Sequence, residues 1–75
     1  REFFTGRFDG LRRSITESLR AQQREGTVRD DVPAEHLAAL LIAASDGLQI
    51  QWLLDPEVGL ESTLQTLGAL LRPPS

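Results

Sequence analysis

The chain has 75 residues, of which 40% are hydrophobic and 25% charged, and its formal net charge is −3. A chain of this size forms one small domain and buries only about 60–65% of its unfolded surface, so its own core is marginal. It contains no cysteine to form a disulfide or a thiolate metal site, and its negative charge excludes a free-standing nucleic-acid binder of the usual basic kind. Helix packing or oligomerisation must therefore stabilise it.

The first predicted element is a helix over about residues 2–25. Its large apolar residues recur at spacings of four and three, which places them on one narrow stripe of a helix. The stripe consists of Phe4, Phe8, Leu11, Ile15 and Leu19. Gly26 follows the helix and is a typical C-terminal stop. With only one apolar side, this helix can cover only one side of a neighbour.

The second predicted helix covers about residues 33–54 and is the most apolar part of the chain. Pro33 is predicted as its first helical residue, and Pro56 ends it because proline disfavours a helical residue before it. Asp46 is the only charge between Leu37 and Leu54, and apolar residues occur on nearly every side. Such a helix must be buried on nearly every side. Two amphipathic neighbours cannot achieve this, so we expect a second polypeptide to cover it.

The third predicted helix covers about residues 60–72. Four leucines form its apolar stripe, and Pro73 and Pro74 end it. The stripe consists of Leu60, Leu64, Leu67 and Leu71. Because the connections are short, neighbouring helices are predicted to be antiparallel. The sequence therefore predicts an all-α fold of three antiparallel helices.

We expect the sequence to be part of a longer, non-membrane protein. It begins at Arg1 without methionine, within a helical pattern, and has no signal or transit peptide. Asp46, Gln49 and Gln51 make the second helix too polar for a membrane span.

No residue pattern indicates catalysis, a metal or a cofactor. The single histidine, His36, has no cysteine or second histidine to act with, and the glycines form no phosphate-binding motif. Asp46 either holds a ligand or partner group, or meets an arginine, a backbone amide or solvent at the edge of an interface. Trp52 either lines a ligand cavity or anchors a core or interface.

Several segments resemble the C-terminal part of TetR/AcrR-family bacterial transcriptional repressors. They are Asp46-Gly47-Leu48, Gln51-Trp52-Leu53-Leu54-Asp55-Pro56 and the leucine-rich last helix. The arginine-rich helix ending at Gly26 and the following Arg29-Asp30-Asp31 also fit. The resemblance covers nearly all 75 residues.

The resemblance implies a regulator and not an enzyme. Such repressors bind operator DNA through an N-terminal helix-turn-helix domain. Their helical C-terminal domain binds a small effector and dimerises, the last two long helices pairing with their copies in a four-helix bundle. Residues 1–75 would be the C-terminal portion of that regulatory domain in a cytoplasmic bacterial protein. Operator DNA would be bound only through the N-terminal domain, which lies outside this sequence.

Two sets of residues are predicted to carry these roles. The largest side chains of the second helix, facing the first-helix stripe, form either a solid core or one wall of an apolar cavity for a hydrophobic effector. The predicted wall consists of Phe4, Phe8, Leu11, Ile15, Leu40, Leu41, Ala44, Leu48 and Trp52. The predicted homodimer interface consists of Ala39, Ile42, Ala43, Asp46, Gly47, Ile50, Leu60, Leu64, Leu67, Gly68 and Leu71.

Two other functions fit the same pattern. The chain is then either a stand-alone helical scaffold whose apolar groove takes a partner helix, or part of a small-molecule-binding or enzymatic domain whose active residues lie elsewhere. The upstream sequence distinguishes them: a basic three-helix segment favours the repressor, and a nucleophile or metal-ligand set favours the enzyme.

Overall fold

A computed structural model describes the backbone of residues 2–74 and the side chains of residues 9–74. Within that range the chain forms three helices and no strand: α1 (Glu2–Glu25), α2 (Ala34–Leu54) and α3 (Leu60–Leu71). The all-α prediction is confirmed, and each predicted helix boundary lies within one residue of the observed one.

Gly26 ends α1 because the backbone there turns into the left-handed region, with φ of 83°. Residues with a Cβ rarely adopt that backbone conformation. The turn lets the amides of Thr27 and Val28 donate to the carbonyl of Gln22, at 3.0 and 3.4 Å. These bonds satisfy a helix-end carbonyl and direct Val28 into the core.

Pro33 precedes α2 and is not its first helical residue, so that detail of the prediction was wrong. Its backbone is extended, with ψ of 137°. Its carbonyl accepts hydrogen bonds from the amides of His36 and Leu37, at 3.1 and 3.2 Å. Proline has no N–H of its own to satisfy, and its extended ψ sets the entry angle of the chain, so the helix begins at Ala34.

Asp55 ends α2 in an extended conformation directly before Pro56, as expected. Its amide donates to the carbonyl of Gln51 at 2.8 Å, and its carboxylate accepts from the amide of Glu57 at 3.1 Å. An aspartate that bonds the backbone two residues later stabilises a tight turn. The turn therefore sends α3 back along α2.

The hydrophobic core lies at one end of the molecule, where the end of α1, the loop after it and the start of α2 meet. Its buried residues are Leu19, Val28, Ala34, Leu37 and Ala38. Ile15, Val32, Leu41 and Leu71 pack against them and are partly buried. The last turn of α3 thus returns to the start of α2.

The helices form a single flat layer in antiparallel order. Arg20 of α1 pairs with Glu35 at the start of α2, at 2.9 Å, and the carbonyl of Leu71 accepts from the amide of Arg29 at 2.7 Å. The Cα atoms extend over 38 × 37 × 14 Å. The radius of gyration is 13.8 Å, whereas a compact domain of this length has about 11 Å. A single layer cannot enclose α2.

Candidate functional site

The most prominent feature of the surface is its large exposed apolar area. The chain exposes 5834 Å², about 1,200 Å² more than a folded monomer of its mass usually does. Leu54 is 82% exposed, Leu53 73% and Leu40 63%. Among residues 9–74, the other large hydrophobic side chains that are exposed are Leu11, Ile50, Trp52, Leu64 and Leu70. Most of this surface belongs to α2 and α3.

α2 has two apolar sides that point in opposite directions. Leu41, Leu48 and Trp52 share one arc of about 40° on a helical wheel; Leu48 is buried and Leu41 half-buried. We call this the inner side. The outer side is the opposite arc of about 60°, with Ala39, Ala43, Asp46 and Ile50, all exposed. α1 and α3 leave the outer side uncovered.

The residues predicted for the dimer interface are divided by the structure into an open and a half-covered group. The exposed group comprises Ala39, Ala43, Asp46, Ile50, Leu64 and Gly68. The half-buried group comprises Ile42, Gly47, Leu60, Leu67 and Leu71. Within the second group, Leu71 packs against the protomer's own core and Leu67 lines grooves against α2. These two leucines therefore already contribute to the packing between α2 and α3 within one protomer.

The residues predicted for the effector wall are brought together only in part. Ile15 and Leu41 both pack against the core, and Leu48 is buried. Leu11 and Trp52 are 45% and 41% exposed. The side chains of Phe4 and Phe8 lie outside the described residues.

Leu40 and Ala44 of α2, also predicted for that wall, lie on the side of α2 that faces α3. Leu40 lines an open groove of about 460 Å³ between α2 and α3. The apolar residues of this groove are Val32, Pro33, Leu37, Leu40, Leu41, Leu67, Leu70 and Leu71, with Arg29 and His36 beside them. Ala44 lines a second groove farther along the seam, with Leu48 and Leu67. Helical periodicity groups these residues on one face but does not tell which neighbour that face meets.

Arg29 ties the loop to the end of α3, a role that sequence reasoning did not predict. Its guanidinium donates to both carboxylate oxygens of Asp31, at 2.7 and 2.6 Å, and to the carbonyl of Leu70 at 3.4 Å. A cation at the C-terminal end of a helix is favourable. The hydrogen bond from Arg29 holds the pKa of the Asp31 carboxyl below its ordinary value. The Arg-x-Asp spacing was the available signal.

A third groove, of mixed charge, lies between α1 and α2 and has a volume of about 530 Å³; we call it the arginine groove. It is lined by Arg12, Arg13, Thr16, Glu17, Arg20, Glu35, His36 and Ala39. The pKa of Glu35 is lowered, first by a hydrogen bond from its own backbone amide and then by one from Arg20. Arg12 pairs with Asp9.

The sequence matches, over residues 1–72, the family described as BetI-type transcriptional repressor, C-terminal. The chain belongs to this family. The resemblance to TetR-like repressors is thereby confirmed. No curated protein and no solved structure matches the chain.

Membership in the BetI-type repressor family places the chain among transcriptional regulator domains, a class that is not enzymatic. C-terminal domains of TetR-like repressors generally dimerise and bind small-molecule effectors. Among the described residues, no three histidine, cysteine or acidic side chains come together as a metal site.

By length and composition alone, α2 is long and apolar enough to cross a membrane. The sequence predicts that Asp46, Gln49 and Gln51 make this helix too polar for a membrane span. By length and composition, however, they do not exclude one. Core helices of soluble proteins have the same length and composition, so this property is weak support for a membrane segment. In a BetI-type repressor domain, such a helix is instead expected to be covered by protein.

Proposed function

We propose that this chain is the segment through which a cytoplasmic TetR-like repressor forms a homodimer and binds a small hydrophobic effector, and that effector binding releases operator DNA. The observation that carries the proposal is the uncovered outer side of α2. Exposure of that much apolar surface to water is unfavourable. Family membership makes a repressor the natural context.

The exposed area supports a second copy as the cover. The excess of about 1,200 Å² over an ordinary monomer is comparable with the roughly 800 Å² that each partner buries in a stable interface. Ala39, Ala43 and Gly47 recur at a spacing of four along α2 and would allow another helix to approach closely. Leu64 and Gly68 offer a second open strip on α3. Together these strips suit a four-helix bundle built from two copies.

The inner side of α2 supports the effector-binding part of the proposal. It continues from the closed core near Leu41 to the exposed Trp52, and Leu11 of α1 is similarly exposed. A partly open apolar surface joined to a core can form one wall of a cavity that other helices complete. With no cluster of titratable groups on this wall, we expect the effector to be hydrophobic.

Operator binding is assigned to an N-terminal domain outside this sequence. The chain carries a net charge of −3, whereas a DNA-binding surface needs a basic stripe. In the full-length protein, small hydrophobic compounds should release a labelled operator and change the fluorescence of Trp52. Release without any change at Trp52, when Trp52 is the only tryptophan retained, would place the effector cavity elsewhere.

Dimerisation is tested by replacing one residue on the outer side. Ile50→Arg puts two charges into a symmetric apolar interface, because a two-fold axis repeats each change. Sedimentation equilibrium at micromolar concentration should give a dimer for the wild type and a monomer of unchanged helicity for Ile50→Arg. The control is Gln49→Arg, an exposed polar neighbour off the outer side, which should stay dimeric. A monomeric wild-type protein would contradict the proposal.

A further inference from the structure

We propose that, in the dimer, Asp46 of each protomer enters the arginine groove of the other copy and pairs with Arg13 there. The proposal rests on the homodimer proposed above. It explains two features of the chain together: a lone carboxylate on an apolar helix, and a groove lined by three arginines and two glutamates.

Asp46 lies where an interface would bury it. It is exposed and shares the outer side of α2 with Ala39 and Ala43. Among the described side chains it forms no ion pair. Covering the outer side with apolar surface alone would leave an uncompensated buried charge, which is strongly destabilising. We therefore expect a surface that buries Asp46 to supply a cation at this position.

The arginine groove has one guanidinium available for that carboxylate. Arg12 pairs with Asp9 on the same helix, and Arg20 pairs with Glu35 across the groove. Arg13 forms no ion pair with any described side chain. Arg13 is thus the cation best placed to receive an incoming carboxylate.

The geometry of an antiparallel crossing brings the two features together. If α2 crosses its copy at Ala43, near the middle of the helix, positions three residues after Ala43 meet positions three residues before it. Asp46 then lies opposite Leu40 of the second copy, next to Ala39. Ala39 lines the arginine groove. By two-fold symmetry the same contact forms twice.

The distribution of charge favours the antiparallel crossing over a parallel one. In a parallel crossing at Ala43, each Asp46 would approach Asp46 of the other copy, which is repulsive. Residues 30–71 contain acidic side chains but no lysine or arginine, whereas seven of the eight arginines lie in residues 1–29. Pairing the acidic part of one copy with α1 of the other is therefore favourable.

The test uses two charge reversals and a mixing experiment. Asp46→Arg and Arg13→Asp each place like charges together twice in a homodimer. Each should weaken the homodimer at least about tenfold, as expected for a close interfacial charge pair. In an equimolar mixture, the Asp46→Arg chain and the Arg13→Asp chain form a heterodimer in which both pairs are opposite in charge. Its dissociation constant should return to within about threefold of the wild type.

The dissociation constants are measured by energy transfer between chains labelled at the N-terminus. Glu57→Arg makes the same charge change on the α2–α3 turn and should leave the homodimer unaffected. Mixing separates a contact between chains from one within a chain, because an intramolecular pair would stay broken in every heterodimer. A dimeric wild type with no recovery on mixing, or with unchanged single variants, would overturn this contact alone. A monomeric wild type would overturn both this contact and the dimer.

Discussion

The two ends of α2 differ in how the chain itself covers them. At the N-terminal end Ala34, Leu37 and Ala38 are buried against α1, the loop and the last turn of α3. At the C-terminal end Leu53 and Leu54 are almost fully exposed. Both ends are equally apolar in sequence. The difference lies in the connections: the loop between α1 and α2 places Val28 in the core, whereas the turn between α2 and α3 buries no side chain.

The buried and exposed residues of α2 thus have different roles. The buried residues at the covered end fix the positions of the three helices relative to one another, whereas the exposed residues along α2 present surface for association. Changes to the buried residues should therefore lower the stability of the protomer, and changes to the exposed apolar residues of α2 should alter its assembly.

The largest effect on the protomer is expected in the core. Leu19→Ala should lower the free energy of unfolding by about 2–5 kcal/mol, the usual loss for a buried leucine. Leu53→Ala, with its side chain exposed, should change it by no more than about 0.5 kcal/mol. Urea unfolding followed by Trp52 fluorescence at submicromolar concentration measures both. Equal losses for the two variants would remove the distinction between the ends.

The loop depends on one glutamine of α1. The side-chain amide of Gln23 donates to the carbonyls of Arg29 and Val32, at 3.0 and 3.1 Å. Gln23→Ala should cost about 1–3 kcal/mol, because two partly buried carbonyls lose their donor. Gln22→Ala is the matched control, since among the described residues that side chain makes only an exposed bond to Ser18.

Hydrogen exchange localises the effect of Gln23. The amide of Arg29, bonded to Leu71, should exchange faster in Gln23→Ala than in Gln22→Ala. An unchanged rate in the first variant would mean that the loop holds α3 without Gln23.

Two glycines of α1 should respond to alanine with opposite signs. Gly26 has a positive φ, so Gly26→Ala should destabilise the protomer by about 1 kcal/mol. Gly10 lies within the helix, and an added Cβ there would meet no atom of the described residues within 4 Å apart from the local chain and helix backbone. Gly10→Ala should therefore stabilise the chain by up to about 1 kcal/mol, by raising helix propensity. Thermal unfolding distinguishes the two, and a stabilising Gly26→Ala would contradict the turn at that residue.

The smallest expected effect is the pH dependence of the covered end. Folding lowers the pKa of the Asp31 and Glu35 carboxyls, so both contribute stability above their ordinary pKa of about 4 and lose it as the pH falls through the lowered values. The melting temperature should drop between about pH 5 and pH 3. In Arg29→Gln the drop should be smaller, because Asp31 has lost its main hydrogen-bond donor. An equal drop would exclude the pair as its source.

The helices and their ends could be predicted because their signals are local. Gly26, Pro33 and the Asp55-Pro56 step act within a few residues of where they stand, and the leucine spacing of α3 is periodic. The prediction that a partner covers α2 also rests on local composition, since α2 is apolar on most sides.

The contacts between distant parts of the chain could not be predicted in the same way. Periodicity placed Leu40 and Ala44 with the large residues of α2, but their neighbours are on α3 and not on α1. The bond from the amide of Arg29 to Leu71 joins residues far apart in sequence, and no pattern within either segment specifies it. Such contacts depend on loop geometry.

The central claim, that a second copy covers the outer side of α2, is tested most directly by a cysteine at Ala43. The chain has no cysteine, so Ala43→Cys introduces one symmetric pair in a dimer. Disulfides require Cα atoms about 4.4–6.8 Å apart, a separation that only a crossing near Ala43 provides. Under mild oxidation, Ala43→Cys should form a covalent dimer rapidly, and Gln49→Cys, off the outer side, should not. Equal crosslinking of both variants, or of neither while the wild-type protein is monomeric, would contradict the claim.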